Sequence, residues 1–115
     1  DAMAGQRHSE MLLPMVQGKR VTTVEALRGR DGLHPVQDSL VRELGSQCGY
    51  CTPGVLMTAK ALLDAEPAPS RERIREAISG NLCRCTGYQQ IVDSIESAAA
   101  EMRAARKMRS AKAGA

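Results

Sequence analysis

The side chains best suited to chemistry in this 115-residue chain are its four cysteines, Cys48, Cys51, Cys83 and Cys85. They fall as C-x2-C, a gap of 31 residues, then C-x-C. Thiols can pair as disulfides, or as thiolates hold zinc or an iron–sulfur centre. The local C-x-C spacing, in a chain whose composition gives a cytosolic default, argues against stable disulfides. Zinc sites usually combine two C-x2-4-C knuckles, and a C-x-C half is less usual. Four cysteines match a [2Fe–2S] centre, with two thiolates on each iron. Spacing alone leaves zinc and iron–sulfur chemistry both open.

Each cysteine pair falls in a loop between two segments that read as helices. Pro35 can occupy a first helical position, with Val36, Leu40, Val41 and Leu44 at helical spacing and Gly45 as terminator. Thr52-Pro53 supplies a cap and first-turn proline for a second helix, whose stripe is Val55, Leu56, Ala59, Leu62 and Leu63. Ser70 caps a third segment from Arg71 to Ser79, closed by Gly80. The fourth begins near Tyr88 or Gln89, turns Ile91, Val92, Ile95, Ala98, Ala99 and Met102 inward, and meets no proline or glycine until Gly114. Both cysteine loops therefore end at helix N-termini, where the helix dipole and free N–H groups favour thiolates. Gly49, Gly54, Gly80 and Gly87 let the backbone wrap closely around a bulky centre.

Residues 1–25 read differently: the apolar run Met11 to Val16 is broken by Pro14, and Val21 to Glu25 is β-branched. These segments predict short edge strands or irregular chain lacking a partner. The expected fold is all-α and four-helix bundle-like, in three parts. Residues 1–32 form an irregular or β-like remnant and linker, 33–100 the helical domain, and 101–115 a basic helical tail.

Composition narrows the function. With 43% hydrophobic residues and 25% charged, the chain is an ordinary globular sequence. It has no Trp or Phe and only Tyr50 and Tyr88, so its aliphatic core is thin and a metal staple would add stability. The net charge of +3 arises in the tail, where Arg103, Arg106, Lys107, Arg109 and Lys112 follow the last acid; elsewhere eleven cations face 13 acids, about −2. No basic face interleaved with aromatics is visible, so nucleic acid is not an expected partner. No apolar run approaches the roughly 20 residues of a membrane span, and a cytoplasmic location is expected.

The residues around the cysteines are more specific than their spacing. Gln47-Cys48-Gly49-Tyr50-Cys51-Thr52-Pro53-Gly54 and Gly80-Asn81-Leu82-Cys83-Arg84-Cys85-Thr86-Gly87-Tyr88 resemble the helical [2Fe–2S] domain of the molybdenum hydroxylases, the xanthine dehydrogenase, aldehyde oxidase and aerobic carbon monoxide dehydrogenase family. The likeness extends over roughly Val21 to Ala99. It implies that Cys48, Cys51, Cys83 and Cys85 ligate one [2Fe–2S] cluster, and that Gln47 and Cys85 also approach a molybdopterin cofactor held by a large partner subunit. It implies an electron-transfer subunit, inactive on substrate when isolated, with an FAD-binding subunit as a further partner. Tyr50 and Tyr88 are expected to pack around the cluster. Small subunits of this family also carry a plant-type ferredoxin domain, whose last cysteine would align with Met11. A thioether is a poor substitute for a thiolate on iron, so one cluster rather than two is expected here.

Overall fold

A computed structural model describes residues 14–114 of the protein. Residues 14–16 are helical and Val24–Leu27 form a 3-10 turn. From there the chain is built of α1 (Pro35–Arg42), α2 (Thr52–Ala65), α3 (Arg71–Ile78) and α4 (Gln89–Ala113). Among the described residues there is no strand, only an isolated bridge between Gly29 and Gly32. The strand expected at Val21 to Glu25 therefore gives way to irregular chain and a 3-10 turn. Leu27 is buried under that turn, and Gln37 of α1 donates to the Val24 carbonyl (3.2 Å), fastening it as a local coil without a sheet. Met11 lies outside the described residues.

Helix α4 is the spine. Helix α1 packs along it, α3 packs on both α2 and α4, and α2 rests on α1 and the 3-10 turn. The core joins Val36 and Leu40 of α1 to Ile74 and Ile78 of α3 and to the five stripe residues expected of α2. Helix α4 contributes Ile91, Val92, Ile95, Ala98 and Ala99, with Met102 partly buried against them as expected, after which the helix continues as an exposed basic segment. The buried Ser39 and Ser94 hydroxyls return to carbonyls of their own helices, so neither leaves an unpaired donor in the core.

Helix ends hold the main local surprises. His34 caps α1: its Nδ1 accepts from Val36 N–H (3.2 Å), while Gln37 Oε1 accepts from His34 N–H (2.9 Å). This is a capping box with histidine in the place usual for Ser or Thr. The other end of α1 also departs from expectation, because Val41 and Leu44 point outward, at 66% and 75% exposed. Helix α1 ends at Arg42, and the α4-facing side is already taken by Val36, Ser39 and Leu40. Leu44 itself adopts the left-handed conformation that a terminator requires (φ 56°). Ser70 caps α3 as expected, accepting from Arg73 N–H at 3.2 Å. On the surface Arg71 pairs with Asp93 and Glu96, and Arg42 with Glu101, orienting α3 and α1 on the spine.

Candidate metal centre

The first cysteine loop is short because α1 ends at Arg42 and α2 begins at Thr52. Gly49 supplies the left-handed turn (φ 82°), after which Thr52 N–H bonds the Gly49 carbonyl at 3.3 Å. The cap of α2 is Cys51, not Thr52: the Cys51 carbonyl accepts from Val55 N–H (3.1 Å), and the Thr52 hydroxyl pairs with Ser46 Oγ (2.9 Å). Cys51 thus stands at the positive end of a 14-residue helix.

The second loop is closed by its own side chains. Gly87 and Tyr88 are both left-handed (φ 66° and 70°), an unfavourable state for a tyrosine. Compensation comes from the phenol, which accepts from Cys83 N–H (2.8 Å) and donates to the Asn81 carbonyl (3.0 Å). Thr86 Oγ1 accepts from Tyr88 N–H (3.2 Å) and lies 3.1 Å from Cys83 Sγ. Tyr88 therefore packs in the loop as expected, whereas Tyr50 is 93% exposed.

The fold brings the two loops together. Cys48 of the first interacts with Cys85 of the second, and Cys51 with Cys83. All four are free thiols; Cys48 and Cys85 are exposed, and Cys51 and Cys83 are half-buried. The Thr86 hydroxyl and backbone hold Cys83 down at about 7, and the Tyr50 backbone together with the Cys85 thiol lowers Cys48. Burial, then the neighbouring Cys83, raises Cys51, while the Cys48 thiol raises Cys85. Each cross-loop pair thus contains one thiol disposed to ionise and one disposed to keep its proton. Among the described residues no three His, Cys, Asp or Glu side chains converge to hold a single metal ion. Cys48, Cys51 and Cys85 each also feel a second cysteine, so the four thiols form one group, a donor set that suits two irons with two thiolates each.

Gln47 is exposed beside Cys48, so both residues expected to face a pterin lie at the surface. A shallow cleft beside Cys51 is lined by Tyr50, Gly54, Gly80, Asn81 and Leu82. A second cavity, about 430 Å³, opens between α3 and the start of α4 and holds none of the thiols. The glycines divide by role: Gly49 and Gly87 are left-handed, Gly54 lies inside α2 against Asn81, and Gly80 faces open space. Thr86 and Asn81 were missed as supporting residues. Their only sequence signal is inclusion in the motif around Cys83 and Cys85.

The likeness of the chain to known proteins follows the same residues. It belongs to the [2Fe-2S] binding domain family, whose model matches residues 23–96. Within that family it stands with the iron–sulfur domains of aldehyde oxidases and xanthine dehydrogenases. Aldehyde oxidase 1 of Cavia porcellus is 51% identical over 80 residues, and xanthine dehydrogenase 1 of Arabidopsis thaliana 53% over 81. Each alignment takes in 69% of this chain but 6% of the relative, so the chain spans a small part of these proteins. The aldehyde oxidoreductase from Desulfovibrio desulfuricans matches in structure with a TM-score of 0.69 and 47% identity, over 72% of this chain and 9% of that one. Quinoline 2-oxidoreductase from Pseudomonas putida gives 0.67 and 52% identity, over 74% of this chain and 52% of the matched chain. Among the described residues no helix is long and apolar enough to cross a membrane.

Proposed function

We propose that the protein is a one-electron carrier whose single [2Fe–2S] centre is held by Cys48, Cys51, Cys83 and Cys85. The observation that carries this reading is that the match to the [2Fe-2S] binding domain family contains all four cysteines and the fold sets Cys48 beside Cys85 and Cys51 beside Cys83. It provides two thiols for each of two irons. When bound, the cluster supplies reversible one-electron transfer; the chain supplies position, burial and hydrogen bonds to sulfur. Helix α2 directs its positive end at Cys51, Thr86 stabilises the Cys83 thiolate, and the Tyr50 backbone does the same for Cys48.

The electron source is a molybdopterin centre on a large partner subunit, approached through exposed Gln47 and Cys85, and an FAD-binding subunit lies further along the route. The kinship with aldehyde oxidase and xanthine dehydrogenase supports this assignment. Under this reading the chain alone turns over no substrate, residues 1–32 are the end of a ferredoxin-like domain, and the complex is cytoplasmic.

Anaerobic reconstitution with iron and sulfide, followed by metal analysis and EPR after dithionite reduction, tests the proposal. About two irons and two sulfides per chain with a spin-half signal are expected. Cys83→Ala is expected to abolish retention. Zinc alone, in a colourless EPR-silent protein, would establish a zinc-stabilised helical binding module instead.

A further inference from the structure

The two cysteine loops are far apart in sequence, and something must set their separation before any metal arrives. Thr52 to Ala65 carry the first loop's continuation, and positions 51, 54 and 58 share one face of that helix. Asn81, two residues before Cys83, sits on this face. Its Nδ2 donates to Thr58 Oγ1 at 2.9 Å. Its Oδ1 lies over Gly54 so closely that a Cβ there would meet it at 2.6 Å. The Asn81 backbone is equally committed: its N–H bonds the Ile78 carbonyl (2.9 Å), and its carbonyl receives the Tyr88 hydroxyl that also holds Cys83 N–H.

One residue therefore touches the end of α3, the face of α2 beside Cys51, and the clasp around Cys83. We propose that Asn81 is the positioning residue that fixes the cross-loop spacing of the cysteines, by seating on Gly54 and Thr58 while its carbonyl anchors the Tyr88 clasp. Gly54 is required there by contact and not by backbone conformation, because it lies within a regular helix. Any larger residue displaces Asn81 and lets the C-x-C loop drift from the C-x2-C loop. The assignment rests on the cysteine loops acting together, as in the cluster reading, but its test needs no iron.

In the metal-free full chain, mild oxidation with diamide converts neighbouring thiols to disulfides that peptide mass spectrometry can map. The expected products in the parent are the cross-loop pairs Cys48–Cys85 and Cys51–Cys83. In Asn81→Ala and Gly54→Ala the ratio of cross-loop to within-loop pairs is expected to fall at least fivefold. Thr58→Val is expected to lower it about threefold, and Thr58→Ser, which keeps the hydroxyl, to restore it. Gly54→Ala raises helix propensity, so its far-UV circular dichroism should match the parent's while the pairing changes. General loosening of the fold would move both together. An unchanged pairing ratio in both Asn81→Ala and Gly54→Ala would overturn the assignment. Iron uptake by reduced, unoxidised portions of the same proteins reads the ligand proposal separately: a parent that forms cross-loop disulfides on oxidation but binds no iron when reduced refutes the cluster and leaves the Asn81 result standing.

Discussion

Thr86 Oγ1 lies 3.1 Å from Cys83 Sγ while accepting a hydrogen bond from Tyr88 N–H. Because the backbone donor occupies a lone pair of the hydroxyl, its hydrogen is free to point at sulfur. A neutral side chain is thereby made into a directed donor to one thiolate. This explains why Cys83, and not its half-buried neighbour Cys51, is drawn down to about 7. The interaction is local to the loop and independent of any metal.

Thr86→Val removes the donor and keeps the shape. In the metal-free protein, alkylation of Cys83 by iodoacetamide is expected to show a midpoint near 7 in the parent. In the variant the midpoint moves up toward the ordinary thiol range of roughly 8.5. Between those values the parent thiol is largely ionised and the variant largely protonated, so at pH 7.5 the variant reacts several-fold more slowly. Thr86→Ser should retain the parental profile. Identical midpoints in all three proteins would show that the hydroxyl does not govern this thiol.

The same bond matters once iron is bound. Hydrogen bonds to cluster sulfur favour the reduced, more negative state, so losing one lowers the reduction potential. EPR-monitored titration of the reconstituted chain is expected to place Thr86→Val below the parent and Thr86→Ser close to it. A potential equal to or above the parent's in the valine variant contradicts this reading.

His34 makes helix α1 sensitive to acid. Its Nδ1 serves as a cap only while unprotonated, since it accepts from Val36 N–H. Burial, assisted by nearby Lys60, lowers its pKa from the usual value. A base whose folded pKa is depressed binds fewer protons folded than unfolded, so its stabilising effect is present above about pH 6.5 and is lost as pH falls through the folded value. His34→Ala is expected to cost about 1 kcal/mol at pH 7.5, as for other lost N-caps. His34→Asn should keep the cap and flatten the acid limb. Urea denaturation at pH 7.5 and 5 measures both, and an acid limb in the asparagine variant as steep as the parent's counts against the assignment.

How much of this was legible in the sequence depends on the range of each interaction. The α2 stripe, the Ser70 cap and the extent of α4 are local periodicities and caps, and each appears where the pattern placed it. The paired cysteine motifs similarly identified the two loops that meet in space. What stayed hidden depends on partners distant in sequence. Val41 fits the helical pattern as well as Leu40, yet α4 covers only Leu40. Gly54 reads as one of four glycines that let the backbone wrap a bulky centre until Asn81, 27 positions later, is seen against it. The β-branched run at Val21 to Val24 reads as strand, but a strand needs a neighbour and the described residues provide none.

The end of α1 combines two such hidden constraints in adjacent residues, and they predict opposite outcomes. Gly45 N–H reaches the Leu40 carbonyl (2.9 Å) and Leu44 N–H the Val41 carbonyl (3.3 Å), a Schellman ending with Leu44 at the left-handed position. That conformation costs a β-carbon-bearing residue about 1–2 kcal/mol, and Leu44 recovers little by packing because it is 75% exposed. Leu44→Gly is therefore expected to stabilise the chain by about 1 kcal/mol. Gly45, the expected terminator, has no positive φ; a Cβ there would stand 2.6 Å from Ser94 Oγ and 2.7 Å from Leu40 Cδ1. Gly45→Ala should separate α1 from α4 and cost about 1–3 kcal/mol by overpacking. Equilibrium urea unfolding of the two variants beside the parent is the measurement. If positions 44 and 45 acted merely as flexible chain, Leu44→Gly would be neutral or destabilising and Gly45→Ala neutral or stabilising, so opposite signs in the stated order discriminate.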